Sequence, residues 1–340
     1  MRPPRVLLIF GLALLIGGCN DRQPTPEEVA KDLAAAGRAN EAGEIPVLVY
    51  HRVGRDQSFA PDFTISARQL RRELEYLRDH KYYPINFRDL VRGHLDVPAG
   101  KTPVVLTFDD SSDSQFTLLR RDGRLLPDPD GAVGVLLDFH ARHSDWPLRG
   151  TFFALPRANP PNNLFGQPRL AARKLRFLLA HGFELGLHTL WHANLATVSD
   201  EEVVRQLALN VAALKRLTER RDFTTLAVPY GVYPKNEALL RGGRSGAESY
   251  RIEGVAEFEY SGVRARPPWT RGFDRLHIPR IPTGDDPGES RAALRDLERH
   301  PRARYISDGD PRRVTVPHAR VAKLDQAAVR RGHKRVRVMP

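Results

Sequence analysis

The feature that most constrains this 340-residue chain is Pro103-Val-Val-Leu-Thr-Phe108, a nearly unbroken apolar run that closes on two carboxylates, Asp109 and Asp110. A strand that is apolar on both faces has to be covered on both, the situation of a parallel sheet packed between helices. The sequence supplies such helices. Ser66 with Gln69 reads as a capping box opening a helix whose Leu70, Leu74 and Leu77 share one face. Further helices are predicted over Ala132 to His143, over Leu170 to His181 with Gly182 as its stop, and from the Ser199/Glu202 capping box to about Leu217. Between them stand short strand candidates, Pro46–Tyr50, Gly150–Leu155, Phe183–His188, Thr224–Val228 and His277–Ile281. The alternation predicts an α/β chain built on a parallel sheet or barrel, with functional groups at the carboxyl ends of the strands. The Asp/Pro/Gly-rich stretch Asp122 to Gly131 and the stretch Gly242 to Glu248 read as surface loops. No internal repeat is present, and one catalytic domain over residues 44–317 is expected. Apolar residues at 41 % and charged residues at 28 % support a sizeable core and exclude wholesale disorder.

The two ends of the chain differ from this pattern. Arg2 and Arg5 precede the apolar run Val6–Ile16, and Gly17, Gly18 and Cys19 follow, as in a secretory signal peptide over residues 1–18. The run is too short for a membrane-spanning helix, which needs about 20 apolar residues. Ile16-Gly-Gly-Cys19 resembles the lipobox of bacterial lipoproteins, which implies lipidation of Cys19, a tether over residues 19–43 and an exported, membrane-anchored protein. Asn20 rather than Asp after the cysteine favours the outer membrane. Gln23-Pro-Thr-Pro26 reads as the tether proper and Glu27 to Ala42 as a short helix. Cys19 is the chain's single cysteine, so no thiol remains for a disulfide, a zinc–thiolate site or a nucleophile.

The formal net charge of +12 is concentrated at the other end. Residues 301–340 hold nine Arg and two Lys against three Asp, a net of +8. The body is close to balanced, and from Ile306 onward there is no aromatic residue on which a base could stack, so nucleic acid is not the expected partner. Residues 318–340 are expected to form a basic, solvated tail.

Chemistry concentrates at two strand ends. Adjacent carboxylates at the mouth of a buried strand are costly unless a cation or another partner stabilises them, although Asp pairs also serve simple turns. The strand Phe183–Leu187 ends in His188, with His192 four residues on. Two His and one Asp at the same rim make a three-ligand metal site with an open position, and leave the second Asp as a base. Thr189 stands where a zincin HExxH helix carries Glu, and there is no GxSxG elbow or Walker loop.

Thr107-Phe-Asp-Asp110, Gly150-Thr-Phe-Phe153, Glu184-Leu-Gly-Leu-His-Thr-Leu-Trp-His192 and Val228-Pro-Tyr-Gly231 together resemble the landmarks of the polysaccharide deacetylases, the NodB-homology enzymes of carbohydrate esterase family 4. Pro46-Val-Leu-Val-Tyr-His51 resembles the opening strand of many members. The resemblance runs from about Glu44 to Ile281. It implies an irregular (β/α)7 barrel and a metal-dependent hydrolase, with a divalent metal, Zn2+ first among candidates, held by Asp110, His188 and His192. It makes Asp109 the base towards water carried by that metal. Pro229 and Tyr230 become substrate-binding residues, the Tyr230 N–H holding the oxyanion, and Trp191 offers a face to a sugar ring. The implied substrate is an acetylated cell-envelope or secreted polysaccharide, with N-acetyl groups the expected target and O-acetyl esters also open.

Three positions depart from the family pattern. Ser111 replaces the usual Gly after the Asp pair, and Val228 replaces an Arg that orients the catalytic carboxylate; Arg280 is the residue able to substitute for it in space. The family's general-acid His sits in a Leu-x-His motif; Leu276-His277 is the nearest match, which makes His277 the acid candidate and His51 the second. These departures leave open a non-catalytic glycan-binding or polysaccharide-assembly lipoprotein. Two His and a carboxylate also match the Fe(II) oxygenase triad, in which Asp109 has no role as a base.

Overall fold

A computed structural model describes residues 38–54, 63–159, 162–258, 262–284 and 288–340. The signal segment, Cys19 and most of the expected tether lie outside these residues. The last part of the expected helix, residues 38–42, is turn and bridge.

Eight strands form one parallel sheet: β1 (Val47–Tyr50), β2 (Tyr82–Ile85), β3 (Thr102–Phe108), β4 (Thr151–Ala154), β5 (Glu184–Leu187), β6 (Thr225–Ala227), β7 (Gly254–Ala256) and β8 (Ile281–Pro282). Their order is β7-β6-β5-β4-β3-β1-β8, and β2 pairs with the first half of β3. Every residue of β3 is buried, as its apolar run requires. The sheet curls into a barrel-like arc whose edges meet through one segment. Ile278 bridges Ala256 on β7, and three residues later Ile281 pairs with Leu48 on β1. The irregular barrel expected from the sequence is thus present. Its last strand is shorter than the predicted His277–Ile281, because the segment divides its pairing between two edges.

The predicted helices form at Ala67–Asp79, Ala132–Arg142, Ala171–Ala180 and Asp200–Thr218. Ser66 and Gln69 close a full capping box. Ser199 Oγ accepts from the Glu202 N–H, but the Glu202 carboxylate turns to Arg205 and Gln206, so the second box is only half made. At the amino ends of the strands Glu184 is buried and accepts from Thr225 Oγ1 at 2.6 Å, Thr151 Oγ1 at 2.8 Å and the Arg88 N–H at 2.8 Å. One carboxylate thereby ties β4, β5 and β6 together.

Two expected loops are hairpins. Leu118–Arg121 pairs with Arg124–Pro127 across Asp122-Gly123, both at positive φ as a two-residue hairpin turn requires. Gly242–Ser245 pairs with Glu248–Arg251. The expected basic tail is also folded: Arg313–Pro317 and Arg335–Met339 form a parallel pair joined through the helix Gln326–Arg331. Leu324, Val329 and Met339 are buried, and burying them is what holds these residues to the barrel. Among the described residues no helix is long and apolar enough to cross a membrane.

Candidate metal centre

The carboxyl ends of β1, β3 and β5 deliver His51, Asp109-Asp110 and His188 to one rim. His192 is brought in by the turn that follows β5. Asp110 and Ser111 both adopt positive φ, 72° and 51°, so the chain reverses sharply after β3 and the two carboxylates diverge. Such a turn favours Gly, which explains why Ser at 111 is a departure. Ser111 makes use of its hydroxyl: buried Oγ accepts the Leu155 N–H at 2.9 Å, and Ser111 O accepts that of Phe165 at 2.8 Å.

Asp110 Oδ1 lies 3.3 Å from His188 Nε2 and 3.4 Å from His192 Nε2. One ligand atom from each of the three residues lies within 4.8 Å of the others. His188 Nδ1 faces the Ala227 carbonyl at 2.8 Å, a contact that orients the ring so that Nε2 faces the cluster. This donor set fits a divalent metal of the zinc type. Burial and the neighbouring His188 push His192 down to about 4, so its imidazole is neutral near pH 7. Burial works to raise Asp110, but the hydrogen bond and charge of His188, with His51 and His192, hold it well below the usual carboxylate range.

The loop carrying the two histidines is held from beneath by the helix Asp200–Thr218. Asn210 Oδ1 accepts the His188 N–H at 3.1 Å, and Gln206 Oε1 accepts those of Leu190 and Trp191 at 3.0 and 3.2 Å. Thr189 Oγ1 accepts from His192 and Ala193, closing the turn. Gln206 and Asn210 are four apart on the helix face that also buries Val203, Leu207 and Val211. Sequence reasoning missed both, although two amides on a buried stripe are a signal of partners elsewhere.

Asp109 is 2 % exposed and does not share the ligand cluster's closest contacts: Oδ2 is 3.9 Å from His188 Nε2. Its partner is Arg280, fully buried, which donates to Oδ1 at 2.7 Å and to Oδ2 at 2.8 Å. Arg280 also donates Nε to Glu257 O and a terminal N–H to Thr107 Oγ1, and its guanidinium lies over the Phe153 ring. The cation that Val228 does not supply therefore arrives from the segment between Ile278 and β8. Burial raises Asp109, but the charges of Arg280 and His188 prevail and keep it ionised.

A cavity of about 310 Å³ opens over these groups, lined by His51, Asp109, Asp110, His188, His192 and Arg280, with Phe63, Tyr230 and Phe258 among its walls. His51 sits between Phe63 and Phe258, ring centroids 5.0 and 5.7 Å away, and burial pushes its pKa down against the pull of Asp109 and Asp110. Tyr230 is held at φ 60° in the turn Pro229–Gly231; its ring is 64 % exposed and 4.4 Å from that of His192. Pro229 is buried beneath this turn.

Two expected site residues lie apart. His277 is not in the cavity: it stacks on Tyr233, meets Glu237 Oε2 at 3.0 Å and lines a separate pocket with Asp274 and Arg266. The reason is local, because the His277 N–H bonds back to Asp274 O and the chain enters the barrel only at Ile278. Trp191 stands on the outer surface, 43 % exposed, and does not line the cavity.

Residues 143–241 match the family model described as polysaccharide deacetylase, a stretch that holds His188, His192 and the Pro229-Tyr230 turn. No curated protein sequence matches. Among solved structures, the Streptococcus pyogenes deacetylase PplD in complex with acetate aligns at TM-score 0.53 and 17 % identity, over 74 % of this chain and 97 % of its own. A de-N-acetylase from Aggregatibacter actinomycetemcomitans aligns at TM-score 0.50 and 15 % identity, over 75 % and 99 %. BA0330 from Bacillus anthracis aligns at TM-score 0.51 and 16 % identity over 72 % of this chain, which spans 66 % of that protein's length. At such identities the structural likeness speaks for the fold. The family match goes further for residues 143–241 alone, the part of the chain that is similar to the polysaccharide deacetylase model.

Proposed function

We propose that the protein removes acetyl groups, N-acetyl groups first, from a cell-envelope or secreted polysaccharide, using a divalent metal held by Asp110, His188 and His192. The observation that carries this reading is the division of labour between the two aspartates. Asp110 faces two imidazoles, whereas Asp109 is kept ionised by a buried guanidinium and points into the same cavity. A metal at this site supplies Lewis acidity and acidifies water; Zn2+ is the first candidate. Asp109 then takes the proton from the attacking water. The Tyr230 N–H, in its strained turn, steadies the oxygen on which negative charge develops. His51, which burial leaves neutral at rest, relays to the leaving nitrogen the proton that Asp109 takes from the water. The same group serves a leaving oxygen, so O-acetyl esters remain within reach of this chemistry. The name of the Aggregatibacter relative and the acetate bound to PplD support acetyl removal.

Export as an outer-membrane lipoprotein through Cys19 is part of the proposal, supported by the sequence of residues 1–20 alone.

Acetate release from a partly N-acetylated glucosamine polymer tests the acid. His51→Gln is expected to lower the rate by roughly 10²–10⁴-fold, the usual worth of a general acid. His277→Gln is expected to leave it within about threefold, since that side chain lies in another pocket. The opposite ranking assigns the role to His277.

A further inference from the structure

The basic end of the chain and its amino-terminal entry sit together at the end of the barrel away from the catalytic rim. β3 starts at Thr102, whose Oγ1 donates to Tyr305 O at 2.6 Å, and ends beside Asp109. Seven residues of strand put roughly 20 Å between the two ends. Asn40 lies at the same end: its N–H donates to Ile306 O, and its side-chain amide donates to Arg302 O and Arg304 O at 3.0 and 2.9 Å. The Glu41 N–H donates to Thr315 O at 2.8 Å. The described chain therefore enters the fold beside this module.

The module's exposed charge is mainly of one sign. Arg302, Arg312, Lys323, Arg330, Arg331, Arg335 and Arg337 are all exposed. Its three acids are engaged. Asp308 is buried against Arg313 and Thr315, Asp310 binds Arg312, and Asp325 caps the helix Gln326–Arg331. On the strand that carries Arg335 and Arg337, Val336 and Val338 are 37 % and 46 % exposed. Their register partners Val314 and Val316 are fully buried, so the apolar row continues past the edge of the core into solvent.

We propose that this end of the barrel docks on an anionic phospholipid surface. The arginines and Lys323 meet the headgroups, Val336 and Val338 enter the interface, and the catalytic rim faces away from the bilayer. Arg335 and Arg337 on one face of this edge strand and Val336 and Val338 on the other bring charge and apolar surface to one exposed edge, which matches a headgroup–acyl boundary better than a fully hydrated polyanion.

Partitioning of the full chain onto vesicles tests this. Binding to phosphatidylcholine vesicles containing about 30 % phosphatidylglycerol is expected to exceed binding to phosphatidylcholine alone by tenfold or more, and the preference is expected to vanish in about 0.5 M salt. Any contribution from the amino-terminal segment, Arg2 and Arg5 included, is common to the wild type and the variants and cancels between them. The variant Lys323→Gln/Arg330→Gln/Arg335→Gln/Arg337→Gln is expected to bring the two within about twofold, with acetate release from a soluble substrate unchanged. Val336→Ser/Val338→Ser is expected to weaken anionic binding severalfold with its salt dependence intact. Equal partitioning of the wild type onto both vesicle types overturns the proposal without reference to any variant. So does a preference that survives loss of the four charges. Release from the vesicles by alginate at equal charge concentration overturns it in favour of a soluble polyanion.

Discussion

Asp109→Asn is expected to reduce acetate release by roughly 10²–10⁴-fold while leaving metal content at the wild-type level. The change is nearly isosteric, and it leaves Asp110, His188 and His192 with their mutual distances of 3.3 and 3.4 Å unaltered. What it removes is, among the described residues that line the cavity, the one carboxylate not spent on the histidine cluster. An amide has no comparable affinity for a proton at neutral pH, so the attacking water loses its acceptor. Acetate release and metal content, measured on the same preparation, separate this from loss of the centre. A variant that keeps metal and half of the wild-type rate would show that the base lies elsewhere.

The second large effect is on stability. Arg280→Met is expected to destabilise the fold by about 3–5 kcal/mol, the range seen when one partner of a buried ion pair is removed. Arg280 and Asp109 are both almost fully buried and share two short hydrogen bonds, so neither can turn to water once the other is gone. In the wild type Asp109 is held below the usual carboxylate range. Its contribution is complete above a pH of about 3.9 and is lost as the pH falls through the depressed folded value. In the variant burial acts with less opposition, Asp109 takes up a proton more readily, and the acid limb of the pH–rate profile moves upward. Urea unfolding reads the first effect and the pH–rate profile the second. An unchanged midpoint with an unchanged profile would mean that the pair does not order the site.

Much of this was legible before any coordinates. β3, β4, β5 and β6 follow short apolar runs punctuated by turn residues, and the capping residues Ser66 and Ser199 start helices where expected. The metal-type cluster was legible because each half of it follows a predicted strand, and strand ends share a rim in a parallel fold. Arg280 emerged from an absence, the missing cation at Val228, and lies where that absence required it. His277 failed because motif matching sees sequence order, whereas the pairing of Ile278 with Ala256 decides where the chain enters the barrel. The hairpin at Asp122-Gly123 carried its turn signal in the sequence, obscured by the surrounding Asp, Pro and Gly. The carboxyl-terminal strand was hidden for a different reason. Arg335-Val-Arg-Val-Met339 has the period of a strand, but its charge reads as solvation, and only Val314, Val316 and Met339 show the core beneath it.

Elemental analysis of the purified protein beside Asp110→Ala tests the metal centre most directly, after reconstitution with zinc and removal of excess. About one metal ion per wild-type chain is predicted, with none retained by the variant, because two imidazoles alone leave the site short of the three protein ligands that catalytic zinc uses. Wild-type protein that holds no metal under these conditions, or a variant that holds as much as the wild type, would contradict a centre built on Asp110, His188 and His192.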